Sequence, residues 1–221
     1  MKKFILMTAI LFFSAYLGYS ADENTNEPQL KTLLGDSGPI KHSGYGGPQV
    51  KFTSINKELG VLVGGRGAWT INRTFSLGLA GYGLVTRQNV NYTDMYNTNL
   101  TNNLNFGYGG LYLEYIYQPL EYIHFAGNVL IAGGAANYSD RNNWGNENYN
   151  NDLDPIRTYI VIEPTLAVEF NITRFFRISA EASYRWMDDV WDNNAFTKSK
   201  GLADINLKGF SGGLTFEFGS F

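Results

Sequence analysis

A two-residue period in side-chain polarity, sustained over unusually long segments, most constrains what this chain can fold into. From Glu58 to Ile71, leucine, valine and tryptophan alternate with glycine, alanine and Arg66. Alternation of this kind predicts a strand with one apolar face and one polar or small-residue face. The pair Asn72-Arg73 follows and a second alternating segment begins at Thr74, so the two segments predict a hairpin.

The same pattern recurs along the chain and predicts eight strands. They lie at about residues 46–54, 58–71, 74–87, 104–118, 122–136, 155–171, 174–187 and 207–221. The connections at 72–73, 119–121 and 172–173 are tight. Those at 88–103, 137–154 and 188–206 are long and rich in Asn, Asp and Tyr, and 55–57 is a short exception among them. Because tight and long connections alternate, they fall at opposite ends of the sheet.

Composition excludes several classes of protein. The chain has 221 residues with 25 Gly, 15 Tyr, 15 Phe and no Cys, and 17% of its residues are charged, against about a quarter in ordinary domains. Without cysteine, the chain has no disulfide scaffold, thiol nucleophile or cysteine-based zinc site. The formal net charge of -3 provides no electrostatic footprint for nucleic acid, so no nucleic-acid partner is expected.

The amino-terminal residues have the pattern of a secretory signal peptide. Lys2 and Lys3 precede an apolar run from Phe4 to Leu17, and the small residues Gly18 and Ser20 follow. We therefore predict a cleaved signal peptide at 1–20, a flexible periplasmic lead-in at 21–43 and a barrel domain at 44–221. No later run reaches the roughly 18 apolar residues that a spanning helix needs.

The period alone leaves open whether the apolar faces point inward, as in a soluble lipocalin-like barrel, or outward to lipid. Strand length favours lipid, because several segments are long enough to cross a bilayer at a tilt, which takes about 9 to 11 residues. Aromatic residues on the apolar faces also collect toward the two ends, like the girdles of a membrane barrel. They are Trp69, Tyr117, Phe125, Phe170, Phe176 and Phe218 toward the tight turns, and Tyr184 and Trp186 toward the long loops.

An outward apolar face places charged residues of both signs in the lumen. The predicted ion-pair network comprises Lys51, Arg66, Arg157, Arg177 and Arg185 with Glu114, Glu163, Glu169, Glu181 and Glu217. Equal numbers of the two signs suit a narrow, dry lumen, because unpaired buried charge is costly and paired charge is tolerated. The alternative is that these are solvated charges on a soluble sheet.

The alternation, the unequal connections and the terminal Phe221 resemble the small eight-stranded outer-membrane barrels of Gram-negative bacteria. That class includes the OmpA membrane domain and the OmpX-like and OmpW-like proteins. The resemblance covers about residues 44–221. It implies an all-β, antiparallel up-and-down transmembrane barrel in the outer membrane, with short periplasmic turns and long extracellular loops.

The resemblance also suggests partners. We expect a monomer in contact with outer-membrane lipid and lipopolysaccharide. In such proteins the barrel-assembly machinery recognises a carboxy-terminal strand that ends in an aromatic residue, which makes Phe221 the candidate assembly signal. Phe221 is one residue out of phase with the alternating Leu214, Phe216 and Phe218.

Three functions remain open at this point. The first is a structural or surface-interaction role, in adhesion or ligand contact, through the long loops, where aromatic and amide side chains suit an extracellular protein or glycan ligand. The candidate contact residues are Tyr138, Trp144, Tyr149 and Trp191. The second is transport of small solutes or hydrophobic compounds, which a filled eight-stranded lumen disfavours.

The third function is lipid-modifying enzyme chemistry, and the residue pattern argues against it. His42 and His124 are the two histidines, and neither lies in a long loop where chemistry on the outer leaflet would occur. Asp188-Asp189 lacks a histidine in reach along the sequence and is interpreted as a solvated loop tip. We therefore predict no enzyme activity, no cofactor, no metal and no catalytic residue.

Pro164 is the one residue that conflicts with a regular barrel. It falls inside the sixth predicted strand, where it removes a ladder hydrogen bond. We therefore predict a β-bulge at Glu163-Pro164.

Overall fold

A computed structural model describes residues 40–55, 58–87, 89–93, 99–139, 156–189 and 206–221. The described residues form nine strands. They are β1 His42–Ile55, β2 Glu58–Ile71, β3 Phe75–Leu84, β4 Asn89–Thr93, β5 Asn99–Tyr117, β6 Ile123–Ser139, β7 Arg157–Asn171, β8 Phe176–Asp189 and β9 Gly209–Ser220. No helix in this part of the chain is long and apolar enough to cross a bilayer.

The strands close into an eight-stranded barrel, in which the separate strands β3 and β4 follow one another at the same position in the wall. Each strand pairs antiparallel with its neighbours in the order β3-β2-β1-β9-β8-β7-β6-β5-β4, and β3 also pairs with β5. The pairing of β3 with β5 closes the ring. β4 pairs with the far end of β5 and continues the line of β3. The predicted all-β, eight-stranded, antiparallel barrel is therefore confirmed. The sequence analysis missed β4, which lies inside the asparagine-rich connection predicted at 88–103.

Strand pairing defines the stagger of the barrel. A path of directly paired residues leads from Ser43 once around the ring and returns to β1 at Thr53. The path runs through Thr70, Ser76, Glu114, Asn128, Thr165, Ser183 and Ser211. The ten-residue offset between Ser43 and Thr53 is the shear of the barrel, and with eight strands it corresponds to a strand tilt of about 40°.

The predicted bulge at Glu163-Pro164 is wrong. The register between β6 and β7 runs unbroken through Val129 and Pro164, and the register between β7 and β8 is the same on both sides of the proline. Between residues 159 and 171, ladder pairs with β8 are missing only at 163 and 164. The lost donor therefore opens a local gap toward β8, and no extra residue is needed to accommodate it. Pro48 has the same effect between β1 and β9, where residues 47 and 48 are skipped.

The apolar faces point outward and the polar faces point inward. Large apolar side chains such as Phe52, Leu79 and Ile131 are between 47% and 67% exposed on the outer surface. The predicted girdle residues Trp69, Tyr117, Phe125 and Phe218 are also exposed toward the tight turns. Exposed residues on the long-loop side include Tyr184, Trp186 and Phe210. The inside-out arrangement is that of a membrane barrel.

Glycines serve different purposes on the two faces. A Cβ atom added to the inward Gly110 would lie 2.1 Å from the carbonyl oxygen of Ile131, so this residue permits close approach of two strands. A Cβ atom on the outward Gly83 or Gly133 would meet nothing within 4 Å. Outward glycines flank inward tyrosines in three Gly-Tyr-Gly segments, at 44–46, 81–83 and 107–109.

The boundaries of the barrel differ slightly from the prediction. β1 begins at His42, two residues before the predicted barrel domain. The predicted signal peptide at 1–20 and nearly all of the lead-in at 21–43 lie outside the described residues. In the tight connection between β2 and β3, Asn72 and Arg73 have φ values of 51° and 61°. Both values lie in the left-handed region, which lets the chain reverse within the three residues between the paired Ile71 and Phe75.

Candidate functional site

The buried interior is the part of the described structure where polar side chains converge. The short-turn end carries the connections 72–74, 118–122 and 172–175, and the long-loop end is the opposite one, toward residues 88–98, 140–155 and 190–205. Inward residues come from alternate positions of all the barrel strands, because successive side chains of a strand point to opposite faces.

Arg66 forms the centre of the network in the short-turn half. It projects from β2, is 4% exposed, and donates through Nη2 and Nε to Oε1 of Glu217 on β9. Its Nη1 lies 2.7 Å from Oε1 of Glu181 on β8, and its Nη2 lies 3.9 Å from Oε1 of Glu169 on β7. One guanidinium thus joins carboxylates from three other strands, as its planar fork of donors allows.

A second cluster lies closer to the short turns. Arg177 Nη1 and His124 Nε2 each lie 2.8 Å from Oε2 of Glu169. His124 is 1% exposed, and its Nδ1 lies 3.3 Å from the carbonyl oxygen of Glu121. The ring of Phe221 lies against Arg177, with its centroid 4.1 Å from the guanidinium carbon.

Tyrosine hydroxyls complete the network around Glu114. Tyr45 donates to Oε2 of this carboxylate over 2.6 Å, and Tyr112 donates to Oε1. The guanidinium carbon of Arg66 lies 5.1 Å from the ring centroid of Tyr112. Glu114 therefore accepts two strong hydrogen bonds beside a cation, although no cationic nitrogen of the described residues lies within ion-pair distance of it.

A third cluster lies toward the long loops and is centred on Glu163. Lys51 Nζ lies 2.9 Å from Oε1, and Ser183 donates to the same oxygen over 2.6 Å. Tyr108 donates to Oε2 over 2.6 Å. The ammonium of Lys51 also lies 3.8 Å from the ring centroid of Tyr82. These contacts use both carboxylate oxygens and fix Lys51 in position.

Gln49 connects this cluster to the network of Arg66. It receives a hydrogen bond from the hydroxyl of Tyr82 and donates through Nε2 to Oε2 of Glu181 over 2.6 Å. Beyond Glu163, an apolar layer of side chains fills the long-loop end of the interior. Its buried members are Ile55, Leu62, Leu104, Phe106, Ala136, Val161, Met187 and Leu207.

The predicted lumen residues differ in how they are placed. Nine of the ten point into the interior. Eight of these nine residues are at most 4% exposed, and the side chain of the ninth, Glu181, is also 4% exposed. Arg157 differs from them, because it is the first residue of β7 and lies half-buried at the long-loop rim. Arg185 is fully buried, but no carboxylate of the described residues lies within ion-pair distance of it.

Sequence reasoning missed the glutamine and the tyrosines of the network. Gln49 and three of the tyrosines donate to the carboxylates, and the fourth, Tyr82, donates to Gln49. The tyrosines are Tyr45, Tyr82, Tyr108 and Tyr112. A signal was available for three of them, since each is flanked by glycines and lies in phase with the inward face of its strand.

The structure describes only some of the remaining predicted site residues. Phe221 turns its ring inward against Arg177 and Tyr45, with ring centroids of the two aromatics 6.0 Å apart. Only the backbone of Tyr138 is described, at the end of β6, and Trp144, Tyr149 and Trp191 lie outside the described residues.

No group of three His, Asp or Glu side chains within the described ranges could hold a metal ion.

No protein-family model and no curated protein sequence matches the chain. Among solved structures, the chain is similar to Neisserial surface protein A (NspA), with a TM-score of 0.50 and 10% identity over 83% of this chain and 99% of that one. It is also similar to Ail, the attachment invasion locus protein of Yersinia pestis, with a TM-score of 0.45 and 14% identity over 81% and 97% of the two chains. A structure of Ail with the heparin analogue sucrose octasulfate gives 0.45 and 13% over the same shares. At such low identity the likeness to NspA shows the small-barrel fold alone.

Proposed function

We propose that this chain is an outer-membrane barrel of a Gram-negative bacterium that acts by contact at the cell surface through its long loops. The observation that carries the proposal is an exposed apolar outer face around a filled, charged interior. A large exposed apolar surface in water would drive aggregation, whereas in a bilayer it is the required exterior. The predicted signal peptide supports export to that membrane.

The filled interior favours contact over conduction. Arg66 and Lys51 reach carboxylates across the barrel, Arg177 contacts carboxylates on its two adjacent strands, and the apolar layer at the long-loop end covers them. Eight strands enclose an interior just wide enough for such side chains. Transport of small solutes or hydrophobic compounds is the alternative, and it predicts steady single-channel conductance in planar bilayers. We expect no conductance from the purified chain.

An enzymatic role finds little support among the described residues. His124 lies at the short-turn end, fully occupied by Glu169 and the carbonyl oxygen of Glu121. A general base must reach a substrate, and this residue is only 1% exposed. We propose that His124 stabilises the barrel.

Membrane location has a direct test. The full chain, expressed in a Gram-negative host, should appear in the outer-membrane fraction and migrate differently on gels before and after boiling, because a closed barrel resists detergent. Recovery in the soluble fraction, with migration that boiling does not change, would contradict the proposal and favour a lipocalin-like carrier.

The contact role is tested by trimming the loops. Cells that display the chain would be applied to an array of neutral and sulfated glycans and to beads coated with lipopolysaccharide. We expect binding above that of cells without the chain, and its loss when residues 140–154 and 190–205 are replaced by short turns. The matched control is Leu120→Ser in an exposed turn at the short-turn end, which should keep the binding. Binding that survives both loop deletions, with heat-modifiable migration intact, would refute a role for these loops.

A further inference from the structure

Charge is divided unevenly along the interior of the barrel. The short-turn half contains Arg66, Arg177 and four carboxylates, those of Glu114, Glu169, Glu181 and Glu217. The long-loop half contains Lys51 and Arg185 but only the carboxylate of Glu163 among the described inward side chains. Three donors already occupy the two oxygens of Glu163. One positive charge in the long-loop half is therefore left without a described counter-ion.

Arg185 carries that charge. Its Nε donates to the carbonyl oxygen of Leu207 over 2.8 Å, and its Nη2 lies 3.4 Å from Oγ1 of Thr53. Its guanidinium carbon lies 5.5 and 5.7 Å from the ring centroids of Phe106 and Tyr108. Nη1 is buried and has no hydrogen-bond partner. A guanidinium stays protonated in proteins, and a buried charge without a counter-ion is costly.

Ser211 adds a second unused donor at the same level. It is the inward residue of β9 that pairs directly with Thr53 of β1 and with Ser183 of β8. The side chain of Arg185 reaches across β9 to Thr53, the residue of β1 that is paired with Ser211. The hydroxyl of Ser211 is buried without a partner, whereas that of Thr53 donates to the carbonyl oxygen of Phe210 over 2.9 Å.

We infer that Arg185 Nη1 and Ser211 Oγ bind a small monovalent anion, of which chloride is the first to test. The site offers one guanidinium N–H and one hydroxyl, and among the described inward side chains of the long-loop half one positive charge is in excess. Apolar neighbours on its long-loop side, Ile55, Met187 and Leu207, exclude bulk water and disfavour a large or divalent anion. The inference is independent of the surface-contact function, because it concerns residues inside the barrel.

Chloride-dependent stability tests the site. The full chain, folded in detergent, would be unfolded by heat at constant ionic strength while sodium chloride replaces sodium isethionate. A ligand that binds only the folded state stabilises it by mass action, so the unfolding temperature should rise with chloride and then saturate. A second titration with formate asks whether a carboxylate can replace the halide. An unfolding temperature independent of both anions would overturn the inference and leave water as the partner of Nη1.

Three variants locate the effect. Arg185→Met should abolish the chloride response. Ser211→Ala should raise the half-saturating chloride concentration about ten-fold, because it removes one hydrogen bond to a charged ligand. Lys208→Met removes an exposed cation near the same end and should leave the response unchanged. If Arg185→Met does not fold, Ser211→Ala decides, since an unchanged chloride response in that variant contradicts the site.

Discussion

At the scale of single residues, the barrel separates positions that need glycine from positions that merely have it. Gly110 and Gly133 show the difference on neighbouring strands, because they lie on β5 and β6 but face opposite sides of the wall. Gly110 faces inward against backbone, and Gly133 faces outward into open space. The requirement therefore depends on the face and the approach of the adjacent strand, and not on the residue type alone.

We predict opposite effects of alanine at these two positions. Gly133→Ala should stabilise the barrel by about 0.5–1 kcal/mol, because alanine restricts the unfolded chain and its Cβ meets no atom. Gly110→Ala should destabilise it by roughly 1–3 kcal/mol, since its Cβ would overlap the carbonyl of Ile131. Guanidinium unfolding in detergent, followed by tryptophan fluorescence, measures both changes. Equal effects of the two substitutions would contradict the distinction between the faces.

Lys51 and Glu163 form the ion pair best suited to a double-mutant cycle. We expect Glu163→Gln alone to cost about 3–5 kcal/mol, because it leaves the buried ammonium of Lys51 without its counter-ion. The double variant Lys51→Met with Glu163→Gln should recover part of that loss. Glu121→Gln in an exposed turn serves as the control and should change stability by less than about 0.5 kcal/mol. Strictly additive single effects would show that the pair is not coupled.

At the scale of elements, β5 is divided into two parts with different support. Residues 107–115 pair with β3 on one side and β6 on the other, whereas residues 99–102 pair only with the short β4. A two-stranded ribbon is marginally stable alone. The far end of β5 is thus an extension of the barrel, and it is not part of the closed ring.

Amide hydrogen exchange should reveal this division within one strand. We expect the amides of residues 99–102 to exchange about a hundred-fold faster, or more, than those of residues 107–113 in the folded barrel, because local opening of the ribbon leaves the ring intact. The central segment of β5 is its own internal control. Equal protection along the whole of β5 would mean that β4 is held as firmly as the strands of the closed ring.

At the scale of the whole molecule, alternation predicted the barrel because eight long two-faced segments have few other ways to satisfy their edges. It failed where pairing overrides local preference. The stretch around Asn89 and Thr93 has loop composition, yet it pairs with β5. Pro164 lacks a donor, but the gap that it leaves faces β8 and the register survives.

The interior was predicted only in part, for a related reason. Charge identified Arg66 and Glu217 because a charged residue on an inward phase has few alternatives. Tyrosine is found on both faces of a membrane barrel, so phase alone did not assign Tyr82 or Tyr108 to the network. The unmatched state of Arg185 depends on distances across three strands, which no spacing along the chain encodes.

The outward placement of two tryptophans makes the barrel its own optical reporter. Trp69 and Trp186 are 48% and 44% exposed, and they lie toward opposite ends of the outer face. In a background that carries Trp144→Phe and Trp191→Phe, each can be left as the single emitter by replacing the other with phenylalanine.

We predict that lipids brominated near the headgroup quench both emitters more than lipids brominated near the chain ends, because aromatic girdles lie at the membrane interfaces. Aqueous acrylamide should have little effect. Strong quenching by acrylamide with none by bromine would place the outer face in water. Agreement with the prediction would make Trp69 and Trp186 depth markers for the two sides of the bilayer, so that insertion of each end could be timed separately during folding.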